Sequence, residues 1–224
     1  MPLRGDASIR AVLFDLDGTL VDTAPDLGYA LNLQRQRHGL PPLADEVIRP
    51  QASHGARGLL EIGFDLQPDD RRFASLREEF LQLYADNICR YSRPFPGILE
   101  LLAELEARGL KWGVVTNKPA AFTEPLMSIL DLAERAACIV SGDTCPQPKP
   151  HPAPMLAAAE LCCAQPAQCL YLGDAERDIQ AANAAAMPAL VAAWGYIGSA
   201  DQPHTWGAHG QINHPSETLD YLVP

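Results

Sequence analysis

The feature that most constrains this fold is a recurrence. Short apolar runs appear at 11–14, 110–115, 137–140, 169–172 and 189–193. None alternates apolar with polar residues as a strand with one wet face would, so each reads as a strand buried on both sides. Between them lie stretches with helical spacing, such as 98–108 and 152–163. Strands alternating with helices cannot pair as hairpins; they pair in parallel through helical crossovers. The pattern predicts an α/β fold with a doubly wound, Rossmann-like parallel sheet.

The rhythm breaks once. From 22 to 93 the chain shows helical patterning, clearest at 27–37 and 72–84, with no convincing strand. It leaves through Ser92-Arg93-Pro94-Phe95-Pro96-Gly97, whose two prolines and glycine suit a connector or hinge. The expected organisation is a core of residues 1–21 and 94–224 with a helical insertion at 22–93. After Trp194 the chain is rich in Gly, Pro and His and its pattern predicts no element. At 224 residues, with 47% hydrophobic and 20% charged residues, it can bury a core without a partner.

The formal net charge of −11 argues against nucleic acid and anionic membranes as partners. An acidic protein that handles an anion must supply positive charge locally, from a metal ion or a few placed Lys and Arg. Residues 1–10 lack the apolar core of a secretory signal and no apolar run is long enough to span a membrane, so a cytoplasmic location is expected. The six cysteines show no C-x-x-C spacing, which favours reduced thiols over zinc or disulfides.

Chemistry-bearing residues follow four of the strands. After the first stands Asp15-Leu16-Asp17-Gly18-Thr19. If the chain stays extended for two residues, both carboxylates face one side, and Gly18 lets the backbone turn and bring its N–H close to an anion. Neighbouring carboxylates repel unless a cation stabilises their charged forms. With magnesium present, the acid on the metal stays ionised and nucleophilic while the other carries a proton. After the second strand, Thr116-Asn117-Lys118-Pro119 fits either a phosphate cradle or a plain helix cap. After the third come Ser141-Gly142-Asp143 and a lysine between prolines, Pro148-Lys149-Pro150-His151-Pro152, where Lys149 suits a phosphate oxygen and His151 positions the loop. After the fourth, Asp174 and Asp178 share a helical face if a helix begins there, and hard oxygen ligands suit magnesium.

These four segments in this order resemble the haloacid dehalogenase superfamily over most of the chain, and within it the phosphoglycolate phosphatase branch and the similar N-acetylmuramic acid 6-phosphate phosphatases. The resemblance implies a cytoplasmic phosphomonoester hydrolase with Asp15 as nucleophile and Asp17 as general acid and base. It implies phosphate held by Thr116, Lys149 and the N–H groups of Gly18 and Asn117. It also implies Mg²⁺ held by Asp15, the Asp17 carbonyl oxygen and Asp174, with Asp178 supporting the shell. Dehalogenases of the superfamily lack the second acid, which favours phosphoryl transfer, although phosphomutases share the whole motif set. The insertion becomes a mobile cap that closes over a small phosphorylated metabolite, and the protein is expected to be a monomer or homodimer. Ala186 departs from the glycine with which the family usually ends its helix, which puts the local turn in question. The segment Ser53-His54-Gly55-Ala56-Arg57-Gly58 reads as a loop of small residues opening a helix, with His54 and Arg57 as the polar candidates for substrate selection. Arg57 is placed to pair with a carboxylate, present in both phosphoglycolate and the lactyl group of the amino sugar.

Overall fold

A computed structural model of the protein describes residues 8–222. Its centre is a parallel sheet of six strands: β1 (Ala11–Phe14), β4 (Lys111–Val115), β5 (Cys138–Val140), β6 (Cys169–Gly173), β7 (Ala189–Ala192) and β8 (Gly210–Ile212), in the order β5-β4-β1-β6-β7-β8. Five of these match the apolar runs. β8 lies in the Gly-rich tail where the pattern predicted nothing; Gln211 is exposed and only Ile212 is well buried, so this edge strand carries too little apolar signal to be read.

Alternate residues along each strand face opposite sides, as a period of two requires. Val12, Phe14, Val114, Leu170, Leu172 and Leu190 enter one apolar cluster, while Ala11, Leu13, Val115, Tyr171, Ala189 and Val191 enter the other. Covered on both faces, these strands had to be apolar throughout. Helices α5 (Ile98–Ala107), α6 (Ala120–Ile129), α7 (Ala153–Leu161) and α8 (Glu176–Ala184) provide the crossovers. The strand order reverses direction beside β1: the chain runs outward through β4 to β5, then returns to add β6 on the other side. Such a switch point leaves a crevice at the carboxyl ends of the strands.

The insertion holds α1 (Ala24–Arg37), α2 (Asp45–Ile48), α3 (Gly55–Phe64) and α4 (Phe73–Ala85), with α1 packed on both α3 and α4. The segment 53–58, expected as a loop, is helical: a 3₁₀ turn spans Arg49–His54 and α3 starts at Gly55. Two short strands missed in the sequence, β2 (Val21–Asp22) and β3 (Arg93–Pro94), pair antiparallel where the chain enters and leaves the insertion. A two-residue strand leaves no periodic trace. Asp26 ties the two crossings together, since its buried carboxylate accepts from Tyr91 N (2.8 Å), Ser92 N (3.0 Å) and Ser92 Oγ (2.5 Å).

The turn after α8 forms although Ala186 replaces the expected glycine. Ala186 adopts φ 54°, its N–H donates to Asn183, and Met187 N–H reaches back to Ala182. That is the paired closing of a helix end that a left-handed residue permits. No disulfide joins the cysteines. Among the described residues no helix is long and apolar enough to cross a membrane.

Candidate active site

Asp15 extends β1 by one residue, its N–H donating to Leu172 O at 2.8 Å, and then the chain turns, with Leu20 N–H returning to Asp15 O and Val21 N–H to Leu16 O. Gly18 holds φ 87°, and a Cβ there would collide with the Asp174 carboxylate. Glycine is needed for both backbone and space. Its N–H, assigned from the sequence to phosphate, instead donates to Val21 O at 3.1 Å within the turn. The missing side chain of Gly18 leaves the space that the Asp174 carboxylate fills.

Asp15, Asp174 and Asp178 converge at the switch point, each offering an oxygen within 4.8 Å of the others, and all three are buried. Asp174 sits at the end of β6, two residues ahead of α8, and not on a shared helical face with Asp178 as the spacing predicted. Burial pushes the Asp15 carboxyl up to about 6 against the pull of Lys149, with Asp178 adding to the rise. Burial, with Asp15 and Asp178 as like charges, pushes Asp174 up to about 7. Two buried acids that resist ionisation, with a third carboxylate beside them, are a set of hard oxygen donors that a divalent cation suits.

Lys149 lies in their midst with a fully buried side chain. Its Nζ is 2.9 Å from Asp15 Oδ1 and 2.7 Å from Asp178 Oδ1, and donates to Val115 O and the Tyr171 hydroxyl, both at 2.8 Å. Asn117 fixes this loop: its amide donates to Lys149 O (2.8 Å) and accepts from Lys149 N (2.9 Å). The Asn117 side chain therefore positions Lys149, a role the sequence reading did not give it. Asp178 accepts on both oxygens, from Lys149 and from Ala175 N at 3.0 Å. Thr116 Oγ accepts from Lys118 N at 3.1 Å. The first N–H of α6, at Ala120, donates to Asp143 (2.9 Å) and is thus already occupied. His151 accepts from Ala153 N (3.2 Å), as a loop-positioning histidine would.

Asp17 is not part of this cluster of three acids. Its Oδ1 accepts from Thr23 Oγ at 2.5 Å and pairs with Lys118 Nζ at 2.9 Å. Lys118 also lies 4.6 Å from the centre of the Tyr84 ring. Burial disfavours its charge, but Asp17 and then Tyr84 outweigh that and hold the ammonium above its ordinary pKa. The sequence reading quoted Lys118 in its motif without giving it a role. A cavity of about 620 Å³ opens from Asp15, Asp17 and Thr116 toward the insertion, bounded by Ser53, His54 and Arg57, by Arg77, Phe80 and Tyr84 of α4, and by Phe122 and Arg177. His54 and Arg57 thus reach the cavity wall; Arg77 and Arg177 join them, which no local spacing announced.

Comparison with known proteins agrees with this geometry. The family model described as haloacid dehalogenase-like hydrolase matches residues 12–192. Over 214 residues the chain is 42% identical to the N-acetylmuramic acid 6-phosphate phosphatase of Pseudomonas aeruginosa, covering 96% of this chain and 95% of that one. Over 218 residues it is also 42% identical to the phosphoglycolate phosphatase of Xylella fastidiosa, again covering 96% and 95%. A crystal structure of a predicted phosphoglycolate phosphatase from Haemophilus somnus superposes with a TM-score of 0.84 at 27% identity, over 96% of this chain and 99% of that one.

Proposed function

Since the chain belongs to the haloacid dehalogenase-like hydrolase family, we propose that it is a magnesium-dependent phosphomonoester hydrolase that works through a covalent phosphate on Asp15. The observation that carries this reading is the convergence of Asp15, Asp174, Asp178 and Lys149 at the switch point, with Asp17 and Lys118 on the same cavity. The oxygen donors fit Mg²⁺, held by Asp15, Asp174 and the Asp17 carbonyl. Bound there, it would keep Asp15 ionised and offset the phosphate charge. Asp178, occupied on both oxygens, serves better to hold Lys149 than to ligate directly.

In this reading an Asp15 oxygen attacks phosphorus while the ester P–O bond breaks, and Asp17 gives its proton to the departing alkoxide. Water then attacks phosphorus, Asp17 takes its proton, and inorganic phosphate leaves with Asp15 restored. Lys149 and the Thr116 hydroxyl steady the phosphoryl oxygens. Lys118 pairs with Asp17 Oδ1 and lines the same cavity, so its ammonium can also meet a bound phosphate. The insertion, residues 22–93, acts as the cap.

The core groups contact only phosphate and metal, so the substrate must be chosen by the cavity wall. Cationic Arg57 and Arg77 favour a metabolite with a second anionic group, and phosphoglycolate is the first candidate. The cavity size favours a second one, the bulkier N-acetylmuramic acid 6-phosphate, whose ring could lie against Phe80, Tyr84 and Phe122. Phosphate release from both esters, with and without Mg²⁺, tests the proposal. We expect Mg²⁺-dependent turnover of at least one, with the larger kcat/KM naming the substrate. Turnover unaffected by a chelator would defeat the metal assignment, and no turnover of either would defeat the substrate class.

A further inference from the structure

The 3₁₀ segment Arg49–His54 is seated on the core at both ends. At one end the Arg49 guanidinium lies 5.1 Å from the ring centre of Tyr196 of the core, and it also pairs through both terminal nitrogens, at 3.0 Å, with Oδ2 of Asp22 at the base of the insertion. At the other, Arg177 donates to the Ser53 carbonyl at 2.8 Å and Ser53 Oγ donates to Asp174 Oδ2 at 3.1 Å. A side chain of the insertion thus touches an acid of the proposed metal set across 121 positions of sequence.

The two oxygens of Asp174 are used unequally. Oδ2 takes two donors, Ser53 Oγ and Tyr196 N at 2.8 Å, while Oδ1 takes one, Thr19 Oγ at 3.0 Å. Two donors fill the lone pairs of Oδ2 and leave room for a cation on Oδ1. Hydrogen bonds to the outer oxygen of a ligating carboxylate fix its rotation and aim the inner one. Thr19 and Tyr196 come from the core and are always at hand. Ser53 is present only while its segment is seated.

We propose that Ser53 is a positioning residue lent by the insertion, so that the metal-binding conformation of Asp174 is complete only when the Arg49–His54 segment is docked. This rests on the metal assignment of the preceding section. Coupling between two equilibria is reciprocal: if docking strengthens cation binding, cation binding strengthens docking to the same degree. The metal would then draw the insertion toward its closed position before any substrate arrives.

The test uses the full chain and metal alone. Mn²⁺ affinity is measured by electron paramagnetic resonance for wild type, Ser53→Ala, Ser53→Thr and Asp174→Asn, and hydrogen exchange across residues 49–57 is followed with and without Mg²⁺. Outer hydrogen-bond partners of metal ligands are worth about 10- to 100-fold in affinity. We expect Ser53→Ala to bind Mn²⁺ roughly tenfold more weakly and Ser53→Thr, which keeps the hydroxyl, to stay near wild type. We also expect Mg²⁺ to slow exchange of the segment in wild type but not in Ser53→Ala. Wild-type affinity in Ser53→Ala, alongside lost binding in Asp174→Asn, would overturn the Ser53 role and leave the metal site standing. Undiminished binding in Asp174→Asn would overturn both.

Discussion

Arg57 lies at the first turn of α3, exposed and on the cavity wall, with Arg77 across from it on α4. If Arg57 reads a substrate carboxylate, replacing it with alanine costs about 1.5 to 3 kcal/mol in kcat/KM, the range for a hydrogen bond to a charged group. The loss should fall on carboxylated esters and spare uncarboxylated ones, so an unchanged ratio between the two classes in Arg57→Ala would refute the role. The residues best foreseen in the sequence were those that local order places: Asp15 follows one strand, Asp174 another, and Lys149 is set between prolines. Lys118, Arg177 and Ser53 were not foreseen, because each becomes special through a partner distant in sequence. Lys118 meets Asp17 across 101 positions, and before folding nothing distinguishes it from a solvated lysine. At Gly18 the turn was legible in the sequence, but not that its N–H donates to Val21 O within that turn.

The helix end at Ala186 offers a test at the scale of an element. Alanine at φ 54° carries a Cβ strain that glycine escapes, so the turn is held by its two reaching hydrogen bonds and by packing of the fully buried Met187. Ala186→Gly should raise stability by up to about 1 kcal/mol, read as a higher denaturation midpoint with unchanged slope. A lower midpoint would show that unfolded-chain entropy outweighs the strain. Elements with a fully apolar run or a helical period were legible in the sequence, the three-residue β5 among them. β2, β3 and β8 were not, because β2 and β3 have only two residues each and β8 buries only Ile212 well, so their pairing leaves no apolar run.

At the scale of the whole molecule, the candidate site sets a conflict between charge and burial that the proposed cation would relieve. Without a divalent ion the native state holds protons on Asp15 and Asp174 up to about 6 and about 7, above the ordinary carboxylate value of 3.8 that an unfolded chain shows. Native protein therefore binds more protons than unfolded protein between about pH 4 and pH 7, and these two groups lower stability as pH rises through that window. On the proposed metal assignment, Mg²⁺ binds the ionised forms and competes with those protons. The gain in Tm from Mg²⁺ should therefore grow from about pH 5 to about pH 8. Taking the difference at each pH removes carboxylates such as Glu79 and Glu106, whose pKa values lie below the usual range and whose contributions run the other way. A gain independent of pH would mean that the cation binds elsewhere.

The most direct measurement concerns Asp15 itself. Replacing Lys149 is a poor probe, since it strands buried acids and costs about 3 to 5 kcal/mol in stability. A better one is to quench turnover with acid, reduce with borohydride, which converts an acyl phosphate to an alcohol, and sequence the peptides by mass spectrometry. The account predicts homoserine at position 15 in wild type treated with substrate and Mg²⁺, and neither label nor turnover in Asp15→Asn, which is nearly isosteric but cannot attack phosphorus. Phosphate release with the label absent, or found on Asp17 instead, would contradict it.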